Sequence, residues 1–227
     1  MIPLGRQMID PDTLSQLESL KISTRPLLVC DVDEVILHLV APFEELLDEQ
    51  GYELRKKAVK LDGNIFSKED GAEAELQLVW TVLNQLFKEQ ATRQKMVDGA
   101  AESLKDIHEN NDIVLLTNLP HIFGDTRRNH LASMDIAYPM VTNIGAKGPA
   151  LKWLKDKSDV AMAFVDDTPH HLESVGTFTP DTHLFHFMAD REFRGMIELP
   201  PAVKLSTGNW PKAGIAVKNA LNGKDDG

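Results

Sequence analysis

Five short, nearly unbroken apolar runs constrain this chain most: positions 27–30, 113–116, 138–141, 160–165 and 183–187. Ile113-Val114-Leu115-Leu116 and Val160-Ala161-Met162-Ala163-Phe164-Val165 show no apolar/polar alternation. Strands of that kind bury both faces, the condition inside a parallel sheet covered by helices on either side. Helix-length segments at 123–134, 149–157 and 170–175 separate the later runs, and 99–109 reads as the crossover helix feeding the second. The alternation predicts a doubly wound α/β domain.

The stretch from Asp31 to Thr117 is far longer than one crossover helix needs. Helical patterning at 42–52 and 69–89 predicts a small helical insertion there. The second segment carries Leu76, Val79, Trp80, Leu83 and Phe87 on one face, and 61–66 has turn chemistry. Residues 12–20 read as a short surface helix, and the polar tail 222–227 as frayed.

A formal net charge of −11 without a basic stripe argues against nucleic acid as a partner. No apolar run approaches the ~20 residues of a membrane span, and the opening residues hold no secretory core. The chain therefore reads as a soluble, cytoplasmic protein. Its single cysteine, Cys30, sits inside the first apolar run and reads as a small buried hydrophobe. Oligomeric state leaves no signal in the sequence. The acidity repels any phosphorylated ligand, so such a ligand needs a local cation.

In an open α/β sheet, ligands bind beyond the carboxyl ends of the strands. Those ends carry Asp31 and Asp33, then Thr117 and Asn118, then Lys147 shortly after the third run, then Asp166 and Asp167. Bare carboxylates cannot share a half-buried crevice unless they protonate or a cation joins them. All-oxygen ligands favour a hard ion, and Mg2+ binds through one or two carboxylates plus phosphate oxygens. Lys147 adds a second positive charge, while Thr117 and the Asn118 N–H are placed to donate to phosphate. A second acid beside Asp31, namely Asp33, is suited to general acid/base work.

These residues resemble the motifs of the haloacid dehalogenase (HAD) superfamily, specifically its Asp-based phosphatases. The first motif is matched by Leu27-Leu28-Val29-Cys30-Asp31-Val32-Asp33-Glu34-Val35, and the second by Val114-Leu115-Leu116-Thr117-Asn118. Lys147-Gly148-Pro149-Ala150-Leu151 matches the third and Ala163-Phe164-Val165-Asp166-Asp167 the fourth. The resemblance spans residues 27–187. It implies a HAD-like Rossmannoid core (1–38 and 99–227) with a helical cap in the first insertion position (39–98).

It further implies Asp31 as nucleophile, Asp33 as general acid/base, and Thr117 and Lys147 as phosphate binders. Asp31, Asp166 and the Asp33 carbonyl are the implied Mg2+ ligands, with Asp167 a ligand or its neighbour. The implied activity is hydrolysis of a small phosphorylated metabolite through an aspartyl-phosphate. Phosphoryl transfer, as in a phosphomutase, and a non-catalytic phospho-ligand-binding protein are the alternatives. Family dehalogenases lack the second acid of the first motif, so Asp33 favours phosphoryl chemistry. The family's Gly-Thr after that motif is replaced by Ile36-Leu37-His38.

A receiver-type signalling domain also gathers acids, Thr and Lys around Mg2+. Its paired acids come early, the reverse of the order here. Among the remaining polar residues, His170 and His171 read as helix surface and His183 and His186 as sheet packing. His38 and His121 each follow a motif closely enough to be candidates for the pocket wall, and the sequence leaves their roles open. Arg127-Arg128 and Arg55-Lys56-Lys57 read as solvated helix faces.

Overall fold

The computed structural model describes residues 8–223. The sequence readings of residues 1–7 and of 224–227 lie outside them. Six parallel strands form the main sheet: β1 (Leu27–Cys30), β4 (Asp112–Thr117), β5 (Met140–Thr142), β6 (Met162–Asp166), β7 (His183–Phe187) and β8 (Val203–Thr207). Their spatial order is β5-β4-β1-β6-β7-β8. The doubly wound fold is thus as expected, with one strand more than the apolar runs announce. The sixth, β8, is an edge strand whose residues alternate in burial, so it has no continuous apolar signature.

Strand β1 lies at the centre, with Cys30 level with Leu115 on one side and Val165 on the other. Leu28 and Cys30 face a core built with α5 (Ala100–His108) and α10 (Trp210–Leu221). Leu27 and Val29 face the opposite core, built with α1 (Pro11–Ser19), α7 (Gly148–Ser158) and α8 (Pro169–Phe178). Burial on both faces explains why these strands read as unbroken apolar runs. Burial also pushes the Cys30 thiol pKa well up, so it remains a packed thiol, as read from sequence.

The long first gap folds as α2 (Val40–Glu49), a β2–β3 ribbon (Tyr52–Leu54 with Ile65–Ser67), α3 (Leu76–Lys88) and α4 (Gln90–Arg93). Phe43, Leu46, Leu47, Ile65, Val79, Val82 and Leu86 form a cluster of their own there. Two expectations need correcting. Helix α3 starts at Leu76, not Glu69, because Gly71 takes φ +71° and 69–75 turns back on the ribbon. Its inward face is Val79, Val82, Leu86 and Phe87, whereas Leu76 and Trp80 are more than half exposed. The apolar side of α3 is wider than the stripe that packing covers, and the covered stripe is the edge carrying Val79, Val82 and Leu86.

Arg55-Lys56-Lys57 follow β2 in a loop and not on a helix. Lys56 is nearly buried, pairing with Asp190 at 2.9 Å and with Glu44 at 3.1 Å. Helix α1 also does more than cover surface: it buries Thr13 and Leu17 against the sheet. No helix among the described residues is long and apolar enough to cross a membrane.

Candidate active site

The strand order reverses direction of growth at β1, which places a crevice beyond the ends of β1, β4 and β6. Asp31 follows the last residue of β1, and its N–H donates to the Val165 carbonyl at 2.9 Å. Thr117 ends β4, and Asp166 ends β6. Lys147 stands at the N-cap of α7, where Pro149 fixes the first turn.

These positions converge. Lys147 Nζ donates to Asp31 Oδ1 at 2.5 Å and to Asp166 Oδ2 at 2.7 Å. Carboxylate oxygens of Asp31, Asp166 and Asp167 lie within 4.8 Å of one another. Asp166 is oriented by the Thr168 N–H at 2.8 Å, and Asp167 by the Thr168 hydroxyl at 3.0 Å. Thr117 Oγ1 is buried in the same crevice with no hydrogen-bond partner among the described residues. A hydroxyl left so costs about 1–3 kcal/mol unless a ligand satisfies it.

The charge balance is tense. Burial, then the neighbouring Asp166 and Asp33 carboxylates, push Asp31 up to about 6 against the pull of Lys147. Burial also raises Asp166, and it raises Asp167 strongly with help from Asp166 and Asp31. Burial opposes charge on Lys147, but Asp166 and Asp31 outweigh it and hold the ammonium above its ordinary range. One cation against three crowded carboxylates is a donor set that fits a hard divalent ion.

Asp33 sits at the crevice in unexpected company. Its two oxygens each lie 3.1 Å from Arg127 Nη1, and Oδ1 accepts from Gln94 Nε2 at 2.9 Å. Arg127 has no exposed surface, so its assignment to a solvated helix face is wrong. Helix α6 (Gly124–Ala132) buries Gly124, Arg127, His130 and Leu131. An arginine on that stripe is invisible to a pattern search that counts charge as solvent-facing.

Asn118 has its side chain committed, donating to the Gly145 carbonyl at 2.8 Å and accepting from Asn143 at 2.8 Å. His171 is a second correction. It lines the crevice, with Nε2 3.3 Å from Asn118 Nδ2 and Nδ1 buried without a partner among the described residues. Burial, then Lys147, hold this imidazole down at about 3, so it is neutral at ordinary pH. Its place on the first turn of α8, facing back to the strand ends, was the signal available in sequence. Sheet packing is right for His186, which is fully buried and bonds the Asp167 carbonyl at 3.0 Å. His170 is exposed, and His121 lies apart, against Asp10 and Thr142.

The crevice encloses about 180 Å³. The insertion supplies Leu61, Leu83 and Phe87 to its wall, with Leu39, the residue before α2, beside them.

No protein-family model and no curated protein matches this sequence. Solved structures do match in fold. A HAD family hydrolase of Deinococcus radiodurans R1, with phosphate and sodium bound, has a TM-score of 0.57 at 11% identity, over 88% of this chain and 99% of that one. A protein of Bacillus subtilis described as a HAD hydrolase, bound to magnesium, gives 0.57 at 14% identity, over 86% and 99%. A Thermotoga maritima protein described as a β-phosphoglucomutase gives 0.52 at 10% identity, over 87% and 97%. The chain has the haloacid dehalogenase-type fold.

Proposed function

We propose that this protein is a cytoplasmic, magnesium-dependent phosphohydrolase that cleaves a small phosphomonoester through an aspartyl-phosphate on Asp31. The observation that carries the reading is the Lys147 ammonium bridging Asp31 and Asp166, with the unpartnered Thr117 hydroxyl buried in the same crevice. A phosphate group is the ligand that satisfies that set: its oxygens accept from Lys147 and Thr117, and its phosphorus presents an electrophile to Asp31.

Asp31, Asp166 and Asp167 are the side chains that would hold the ion. When bound, Mg2+ would supply the positive charge that offsets the acids and the phosphate. Asp31 attacks phosphorus with one carboxylate oxygen while the ester oxygen departs, taking its proton from Asp33. Asp33 then accepts a proton from water as the water oxygen attacks phosphorus. The bond to Asp31 breaks, and phosphate leaves. Lys147 holds Asp31 as the anionic nucleophile against the upward push of burial. Leu61, Leu83 and Phe87 exclude bulk water, which strengthens each of these contacts. On this reading residues 39–98 act as the cap, and 1–38 with 99–227 as the core.

The test is release of inorganic phosphate from a broad panel of phosphomonoesters with Mg2+, together with trapping of labelled phosphoenzyme. Asp31→Asn should lower turnover by at least about 10³-fold and abolish trapping. Wild-type turnover of an aryl phosphate by that variant would defeat the proposal. Transfer to a second hydroxyl, suggested by the likeness to the Thermotoga protein, would use the same nucleophile. Isomerised product without free phosphate would favour it.

A further inference from the structure

We infer that Arg127 is a positioning residue for the acid/base step, holding the Asp33 carboxylate in one orientation and tying it to the stem of the insertion. The inference rests on the phosphohydrolase reading above.

A fully buried guanidinium needs partners for its donors. Arg127 finds them on two sides. Nη1 is shared between Asp33 Oδ1 and Oδ2, each at 3.1 Å. Nε donates to Gln90 Oε1 at 2.5 Å, and Nη2 to Gln94 Oε1 at 3.0 Å. Gln94 Nε2 returns to Asp33 Oδ1 at 2.9 Å and reaches the His38 carbonyl at 3.0 Å. Both glutamines are buried. The carboxylate is thereby fixed by donors from two directions, not left free to rotate.

Orientation decides whether Asp33 can serve. A proton donor must come within about 2.6–3.2 Å of the oxygen it protonates. Asp33 keeps a small exposed edge toward the crevice, its side chain being 16% exposed, while Arg127 behind it is at 0%. The wall is continuous with the network, since the Arg127 guanidinium lies 5.9 Å from the centre of the Phe87 ring.

The glutamines belong to the segment that leaves the insertion. Gln90 opens α4 and Gln94 is its C-cap. Entering and leaving segments are joined there: His38 N–H donates to the Lys95 carbonyl at 2.9 Å, and Leu37 bridges to Met96. Gln94 thus ties the Asp33 carboxylate to the stem of the insertion.

The test separates leaving groups. Arg127→Lys keeps a cation but loses the fork. In single turnovers it should slow cleavage of an alkyl phosphate by about ten-fold or more, since that alkoxide needs a proton. The first-turnover burst of dinitrophenolate from 2,4-dinitrophenyl phosphate, which needs none, should keep its amplitude and nearly its rate. Gln94→Met, which leaves the cation paired with Asp33, should show the same pattern more weakly, and decides the matter if Arg127→Lys does not fold. An equal slowing of both substrates, or no slowing of either, would overturn the inference. Asp31→Asn run alongside should give no burst. A burst there would sink the phosphohydrolase reading itself, and the inference with it.

Discussion

The carboxylate of Glu34 accepts the backbone N–H of Asp190 at 2.8 Å, across 156 positions of sequence. Its other oxygen accepts from the Leu39 and Val40 N–H groups at 2.7 Å each, capping the start of α2. Glu34 is buried and holds φ +58°, and its carbonyl accepts from Ala189 at 2.9 Å. The turn after the first motif is therefore built around a glutamate that locks three segments, where the resembled family has Gly-Thr further on.

Glu34→Ala should destabilise the protein by at least about 2 kcal/mol, because three backbone donors lose a charged acceptor. Glu34→Gly should cost about 1 kcal/mol less than Ala, since glycine accepts the left-handed backbone without strain. Denaturant titration ranks the two variants. The reverse order would show that the backbone conformation relaxes once the carboxylate is gone.

Lys147→Met leaves three crowded acids without their ammonium. Removing one partner of a buried ionic set typically costs about 3–5 kcal/mol, and turnover should fall by about 10² or more with it. The melting temperature in EDTA should drop well below wild type. Added Mg2+ should recover more of it than it adds to the wild type, the opposing ammonium having been removed.

Divalent metal should stabilise the wild-type fold by about 2.7 kcal/mol at a hundred-fold excess over its Kd. Thermal melts with Mg2+, with Na+ at equal ionic strength, and with EDTA check this. Asp166→Asn should lose most of the Mg2+ shift. A wild-type melt indifferent to Mg2+ would contradict the ion-binding role of the acid cluster.

His171 predicts an acid-sensitive component of stability. Burial and Lys147 hold its folded pKa at about 3, against about 6.5 in an unfolded chain. Between these values the unfolded chain binds a proton that the folded one refuses, so stability falls as pH drops through that window. His171→Gln removes the component. Its melting temperature should decline less steeply than wild type from about pH 6.5 downward, and parallel curves would disprove the assignment.

The parts legible in sequence were those written in continuous patterns. Strands β1, β4 and β6 announced themselves because burial on both faces demands unbroken apolar residues, and their polar ends gave Asp31, Thr117 and Asp166. Strand β8 did not, because an edge strand needs only half of that pattern. Trp80 lies on an apolar edge of α3 that no element among the described residues covers, and periodicity does not say which edge of a broad apolar side the fold will bury. Arg127, Gln90 and Gln94 gave no signal: polar side chains are buried only when distant partners satisfy them, and periodicity carries no information about partners.

The sequence by itself determined the doubly wound sheet and the set of acids and the lysine at its strand ends, since each follows from local pattern, while the strand order with its reversal at β1 came from the structure. Only the tertiary structure decided that Asp33 is gripped by Arg127, that His171 turns into the crevice, and that Glu34 ties the first loop to Asp190. Those contacts join residues 94, 53 and 156 positions apart. Such pairings are fixed by packing in three dimensions, where a buried charge or amide must find whichever partner the fold brings near.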